Sequence, residues 1–237
     1  MFGETLKTIW YEICRVGCRI FCFAFFPMRV YGVENIPRKG PLILASNHQS
    51  YMDPVFCGLR VRRHLSYLAR ESLFGNWFFA WLIRSLNAIP LRRDEADMAA
   101  VRKVLSKLKE GRGVCLYPEG TRTYDGRVEA FKPGLGLLCR RGGAAVVPVL
   151  IDGAYECWPR HQKMFKRGPV TVTYGRAVTA EQAREMGDKK LAEHLTETVR
   201  QMQRDCRIRD GKEPYDYGQD GGAENSERPS QSRSGQA

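Results

Sequence analysis

Leu42-Ile43-Leu44-Ala45-Ser46-Asn47-His48-Gln49-Ser50-Tyr51-Met52-Asp53-Pro54 is the stretch on which the fold turns. Its first four residues are apolar, too few for a helix, and follow a turn-rich segment over 32–41, so they read as a buried strand. Proline is favoured at the first helical position, it disfavours helical φ/ψ in the residue before it, and aspartate is a good cap. A helix is therefore predicted from Pro54, with Asp53 as its cap. Residues 48–52 become a polar loop arching over the strand end. Strand, polar loop and helix make the opening half of an α/β unit.

The same pattern recurs outward in both directions. Further strands are predicted at 65–69, 88–91, 114–117, 145–151 and 170–174. Between them, Met98, Val101, Leu105 and Leu108 repeat at helical spacing, with Gly111 as a stop. Thr179 and Gln182 form a capping box for a helix from Ala180, and Leu191, Leu195, Val199, Met202 and Cys206 line another helical stripe. Strands alternating with helices predict a single α/β domain over 32–209, with a largely parallel mixed sheet flanked by helices. Residues 210–237 are rich in Gly, Ser, Gln and Glu and almost devoid of apolar side chains. They are expected to be a disordered polar tail.

Residues 1–31 are expected to be a helical segment that associates with a membrane. Residues 5–26 are apolar and aromatic but carry Lys7, Glu12, Arg15 and Arg19. Four charges speak against a bilayer-spanning helix, and their placement inside the apolar run speaks against a secretory signal. On a helix, Thr8, Glu12, Arg15 and Arg19 share one face, while Leu6, Ile9, Trp10, Ile13, Val16, Ile20 and Phe23 cover much of the rest. This suits a helix lying in the membrane interface, its arginines towards lipid phosphates. Packing on the domain core is the other reading of the same stripe.

The 237 residues carry 38 Lys and Arg against 26 Asp and Glu, a net +12. The last 28 residues hold three basic and six acidic groups, so residues 1–209 carry +15. Such a field suits nucleic acid, anionic lipid or a phosphorylated small molecule. The aromatics lie beside apolar runs at 10–31 and 74–81 rather than among basic residues, which argues against nucleic acid. The eight cysteines include no CxxC pair and stand at no zinc-binding spacing from the four histidines. They read as reduced, mostly buried thiols of a cytosol-facing protein, with no metal site. No GxSxG elbow marks a hydrolase.

In open α/β sheets, sites collect at the carboxyl ends of strands. Two segments stand there: the loop 46–54 and Tyr117-Pro118-Glu119-Gly120-Thr121-Arg122. In a loop that turns back, the Asp53 carboxylate reaches the His48 imidazole, fixes its tautomer and leaves the other ring nitrogen as a general base. Alternatively Asp53 only caps a helix and His48 is a surface residue. Arg122, Arg92, Arg93 and Lys132 offer guanidinium and ammonium groups to a phosphate.

Taken in order, Asn47-His48-x-Ser50-x-x-Asp53-Pro54, then Ile89-Pro90-Leu91-Arg92-Arg93, then Tyr117-Pro118-Glu119-Gly120-Thr121-Arg122 with Phe131-Lys132-Pro133-Gly134, then Val146-Val147-Pro148-Val149, resemble the four blocks of the 1-acyl-glycerol-3-phosphate acyltransferases. These belong to the wider glycerolipid acyltransferase superfamily. The resemblance spans 33–176. It implies acyl transfer from an acyl thioester (acyl-CoA or acyl carrier protein) to the sn-2 hydroxyl of 1-acyl-glycerol-3-phosphate (lysophosphatidate), forming phosphatidate in phospholipid biosynthesis. It implies His48 as general base with Asp53 as orienting partner. Arg93, Glu119, Gly120, Thr121, Arg122 and Lys132 would bind the acceptor, and Pro148 would shape the strand of the fourth block. This sequence has Arg92-Arg93 where the family has Asp-Arg, and Asn87 where it often has glycine. No cofactor is implied beyond the acyl donor, for which a basic face around Arg60, Arg62, Arg63 and Arg70 is a candidate. The expected setting is the cytoplasmic face of a membrane, as a peripheral or monotopic protein. The competing readings are a related acyltransferase acting on glycerol-3-phosphate or another lysophospholipid, and a basic binding module without catalysis.

Overall fold

The computed structural model describes residues 2–91 and 98–218. Seven strands form one sheet in the order β1-β7-β6-β2-β5-β3-β4. They are β1 (Met28–Tyr31), β2 (Leu42–Ser46), β3 (Leu65–Arg70), β4 (Ala88–Leu91), β5 (Gly113–Leu116), β6 (Ala145–Asp152) and β7 (Val170–Tyr174). All neighbours are parallel except β6 and β7. Every residue of β2 and β5 is buried, as expected of strands covered on both faces. Pro148 sits inside the central strand β6, where a proline removes one ladder donor. Its carbonyl accepts from Gly175 N just beyond the end of the β6–β7 pairing, so its missing N–H falls at a break in the ladder.

The helices are α1 (Phe2–Phe25), α2 (Asp53–Gly58), α3 (Trp77–Ser85), α4 (Met98–Lys109), α5 (Gly134–Gly142), α6 (Ala154–Cys157) and α7 (Ala180–Arg209). Helix α7 starts at the Thr179–Gln182 capping box and is interrupted at Gly187, whose φ is 74°. Its buried face holds Leu191, Leu195, Val199 and Cys206, which join Ile43, Val114, Val146 and Leu150 in one core. A second core on the opposite side of the sheet contains Leu42, Leu44, Phe56, Cys57, Val147 and Phe26. Fully burying a side chain such as Phe26 contributes roughly 1.5–3 kcal/mol.

Several expectations are corrected. The sheet begins at Met28, inside the segment expected to be only a membrane helix, because β1 pairs with β7. Four residues bounded by Pro27 and Gly32 give too short a pattern to read as a strand. Helix α4 forms where its spacing predicts: Leu108 of the stripe is buried with Ala100 and Val104, Val101 and Leu105 are half-buried, and Met98 is exposed. Residues 210–218 pack on the domain instead of leaving it. Tyr217 Oη accepts from Val128 N and meets Gln203, and the Tyr215 ring lies under Arg207. Two tyrosines in an otherwise polar stretch anchor this strap, and the remainder of the expected tail lies outside the described residues.

The largest correction is the orientation of α1. The middle of its polar face turns inward, while Thr8 and Arg19 stay exposed: Arg15 Nη1 donates to Val61 O at 2.9 Å, Arg15 also pairs with Glu12, and Glu12 reaches His64 at 3.3 Å. Arg15 therefore serves the domain rather than lipid phosphates. Tyr11 is buried, accepts from Leu65 N and stacks on His64. The face left outside is apolar: Leu6, Ile9, Ile13, Val16, Ile20 and Phe23, the last 87% exposed. Helix α3 continues it with Trp77, Phe78 and Trp81, and Trp10 joins the two by a ring contact to Trp81 and a hydrogen bond to Ser85. Among the described residues no helix is long and apolar enough to cross a membrane.

Candidate active site

Strands β6, β2 and β5 are adjacent and mutually parallel, so their carboxyl ends open on one edge. Each delivers a loop there. Asn47 fixes the start of the first: its side-chain amide donates to Ile151 O at 2.9 Å and its carbonyl accepts from Ile151 N at 2.7 Å, extending the β2–β6 ladder by one side chain. Gln49 ties the loop to its neighbours, donating to Gly126 O and accepting from Tyr155 N.

His48 and Asp53 meet across this loop. His48 Nδ1 is 2.6 Å from Asp53 Oδ2. The same oxygen accepts the backbone N–H of Gln49 and of Ser50, each at 2.7 Å. Three donors on one carboxylate oxygen define the loop, and they correct the expected capping role: Met52 is the cap of α2, and Asp53 is its first residue with the carboxylate turned back. Asp53 is fully buried, whereas the His48 side chain is 21% exposed. With Nδ1 donating to the carboxylate, Nε2 is the basic nitrogen. The Tyr117 ring stacks on the imidazole at 4.1 Å and limits its rotation.

The loop after β5 closes on this pair. Thr123 N donates to His48 O at 2.8 Å, and Glu119 Oε1 accepts from His48 N at 3.2 Å. Glu119 is only 5% exposed, and its other oxygen has no partner among the described residues. Burial, with Asp53 and Glu129 nearby, pushes its carboxyl well above the usual range. Gly120 has φ 78°, and a Cβ there would stand 2.6 Å from Lys132 Nζ, so glycine lets the lysine lie across the turn. The guanidinium of Arg122 lies 3.5 Å over the Tyr51 ring, in cation–π contact between the two loops. His48, Asp53, Glu119, Gly120, Thr121, Arg122 and Lys132 are thus gathered at one edge. Arg93 and its neighbour Arg92 lie outside the described residues, just after the end of β4. Arg63, assigned to a donor-binding face, instead donates to the carbonyls of Pro37, Gly40 and Gly111 and staples three loops at the opposite end of the strands.

Tyr51, Tyr117 and Asn47 stand inside the quoted blocks, yet nothing in the pattern marks the first two as contacts. Arg160, which reaches Thr121 from the segment after α6, lies in no block. The eight cysteines are free, and Cys57 and Cys115 pack with their sulfurs 3.4 Å apart beneath Tyr117.

Residues 27–152 match the family model described as Acyltransferase. The chain belongs to this acyltransferase family. Its fold is that of the 1-acyl-sn-glycerophosphate acyltransferase PlsC from Thermotoga maritima, with a TM-score of 0.75 and 30% identity over 84% of this chain and 80% of that one. A protein of Pseudomonas aeruginosa named 1-acyl-sn-glycerol-3-phosphate acyltransferase is 33% identical over 64% of this chain and 59% of its own length. A Bacillus subtilis protein of the same name is 23% identical over 81% of this chain and 94% of its own length. A chloroplastic one from Arabidopsis thaliana is 26% identical over 67% of this chain and 45% of its own length. The chain therefore spans about half the length of the plant and Pseudomonas relatives and nearly all of the Bacillus one.

Proposed function

We propose that the protein transfers an acyl group from an acyl thioester to the sn-2 hydroxyl of 1-acyl-glycerol-3-phosphate, forming phosphatidate. The observation that carries this reading is the His48–Asp53 pair, 2.6 Å apart, with the carboxylate oxygen also gripped by two backbone amides and a basic loop alongside. The names of the relatives supply the acceptor.

The secondary hydroxyl of the acceptor is a poor nucleophile. His48 Nε2 takes its proton as the oxygen attacks the thioester carbonyl, a role worth about 10²–10⁴-fold. Asp53 stabilises the imidazolium that forms. The tetrahedral intermediate then collapses, the C–S bond breaks, and the imidazolium returns the proton to the departing thiolate. Arg122, Lys132 and Arg93 hold the acceptor phosphate and so place the hydroxyl beside Nε2. Glu119, buried and hydrogen-bonded to the His48 amide, holds the loop from behind. The thiols take no part: the hydrogen bond to Cys115, and then burial, raise Cys57 well above the usual range, and burial raises Cys139 to about 12, which disfavours the thiolate a nucleophile needs.

The donor is an acyl-CoA or acyl carrier protein. The apolar outer face of α1 and α3 seats the enzyme in a lipid surface as a peripheral protein, where both acyl-bearing substrates reside. The test is an acyl-transfer assay on purified protein with a panel of lysolipid acceptors and both donor types. Wild type is expected to acylate lysophosphatidate, and His48→Ala to lose about 10²–10⁴-fold in kcat. A His48→Ala variant that turns over at the wild-type rate would sink this mechanism.

A further inference from the structure

The third loop at the site edge, after β6, belongs to none of the four sequence blocks. It runs through α6 to Trp158-Pro159-Arg160. The Trp158 ring meets Tyr51 at 5.3 Å, and Tyr51 Oη donates to Arg160 O at 3.3 Å. Arg160 is thereby drawn onto the loop after β5. Its Nη1 donates to Thr121 Oγ1 and to Arg122 O, both at 3.3 Å, and its guanidinium lies 4.1 Å over the Tyr124 ring. Nε and Nη2 of Arg160, and the whole guanidinium of Arg122, donate to nothing among the described residues. Neither arginine has a carboxylate within ion-pair distance there, although other arginines of the chain do.

Two guanidiniums held on aromatic rings in one loop cluster, with no carboxylate at ion-pair distance among the described residues, repel each other, and an anion between them relieves the repulsion. Aromatic faces orient the forks without neutralising them. A phosphate monoester carries about −1.5 to −2 near neutral pH and presents three acceptor oxygens, enough for two forks. A phosphodiester carries one charge and fewer free oxygens.

We propose that Arg160 is a second arginine ligand of the acceptor phosphate beside Arg122, and that the pair selects a phosphate monoester over a phosphodiester headgroup. The inference rests on the acyltransferase reading above. Arg160 differs from Glu119, which acts through His48, in that it touches the substrate itself.

The experiment compares the full-length wild type with Arg160→Ala, Arg160→Gln and Arg160→Lys, using lysophosphatidate and the phosphodiester lysophosphatidylglycerol as acceptors. The alanine and glutamine variants are expected to raise KM for lysophosphatidate by about tenfold to hundredfold, the range for one charge-assisted contact. The KM for the acyl donor stays unchanged, the preference for the monoester falls by a similar factor, and lysine restores part of it. The phosphate also titrates: its second ionisation lies near pH 6, so the wild-type KM for lysophosphatidate rises as pH falls from 7 to 5, and the rise is smaller without Arg160. A KM unchanged in both neutral variants, or one raised equally for both acceptors, would overturn the inference and leave the reaction standing. A wild type that acylates neither acceptor overturns the reaction and the inference with it.

Discussion

The site edge and the outer face of α1 and α3 handle polarity in opposite ways. At the edge, polar side chains are buried and held by several hydrogen bonds each: one oxygen of Asp53 accepts three, and Asn47 makes two with a neighbouring strand, donating one and accepting one. On α1 Glu12 and Arg15 are turned inward while Lys7 and Arg19 stay exposed, and the large side chains left outside are Leu, Ile, Val and Phe, continued by Trp77 at 81% exposure. A helix in water places its apolar stripe inward. Here the domain takes Glu12 and Arg15 of the polar stripe and leaves Leu6, Ile9, Ile13, Val16, Ile20 and Phe23 exposed, a patch of the kind that marks an interaction surface. One region holds a fixed geometry; the other presents an apolar surface, which the function proposed above assigns to a lipid surface.

The comparison breaks most visibly at Asp53. Asp53→Asn keeps the shape but supplies an NH₂ where three donors converge or an amide oxygen without charge, and kcat is expected to fall by about 10³–10⁴-fold in the transfer assay. A variant within a factor of ten of wild type would mean that the carboxylate only shapes the loop. On the other side, Ile13→Asp and Ile20→Asp are both at exposed positions, so melting temperature should hold while co-sedimentation with anionic vesicles weakens by about tenfold or more for each, the scale of one buried apolar side chain. Unchanged vesicle binding would show that this face is covered by something else. Acylation of a short-chain, water-soluble acceptor should be affected least, because the site edge is untouched.

The smallest effect concerns Glu119. Its pKa is raised in the folded state, so the folded protein retains a proton that the unfolded chain releases. The cost is absent below the ordinary glutamate range, about pH 4.3, and grows as pH rises from there towards the folded value. Glu119→Gln keeps an acceptor for the His48 amide and removes that titration. Thermal stability of the variant relative to wild type is therefore expected to improve with rising pH, with activity reduced less than in Glu119→Ala. A pH-independent difference between Glu119→Gln and wild type would show that the carboxyl is ionised in place.

Much of this was legible before any coordinates. The run 42–45 and the five later strands stand within a residue or two of where the sequence places them, because a strand buried on both faces reads as an uninterrupted apolar run. The Thr179–Gln182 box was legible because capping is chemistry between residues three apart. Strand β1 was hidden because four residues carry no period. Helix α4 is legible from its stripe, and only the centre of its inner face differs, because an amphipathic stripe leaves about one residue of freedom in where its centre lies. The direction of Arg15 is not legible for a different reason: a helical wheel separates polar from apolar residues but does not say which side meets the domain.

The sequence by itself determined the alternation of strands and helices, the two polar loops that follow β2 and β5, and the residues whose chemistry fits proton transfer and phosphate binding. These are local properties, set by side chains within a few positions of one another. Only the tertiary structure decided that β6, β2 and β5 are neighbours, and so that Arg160, 112 positions after His48 and in no block, arrives at the same edge. It also decided which face of α1 looks outward. Both depend on contacts between residues far apart in the chain, made by the sheet order and by the carbonyl of Val61, and no spacing along the sequence encodes them.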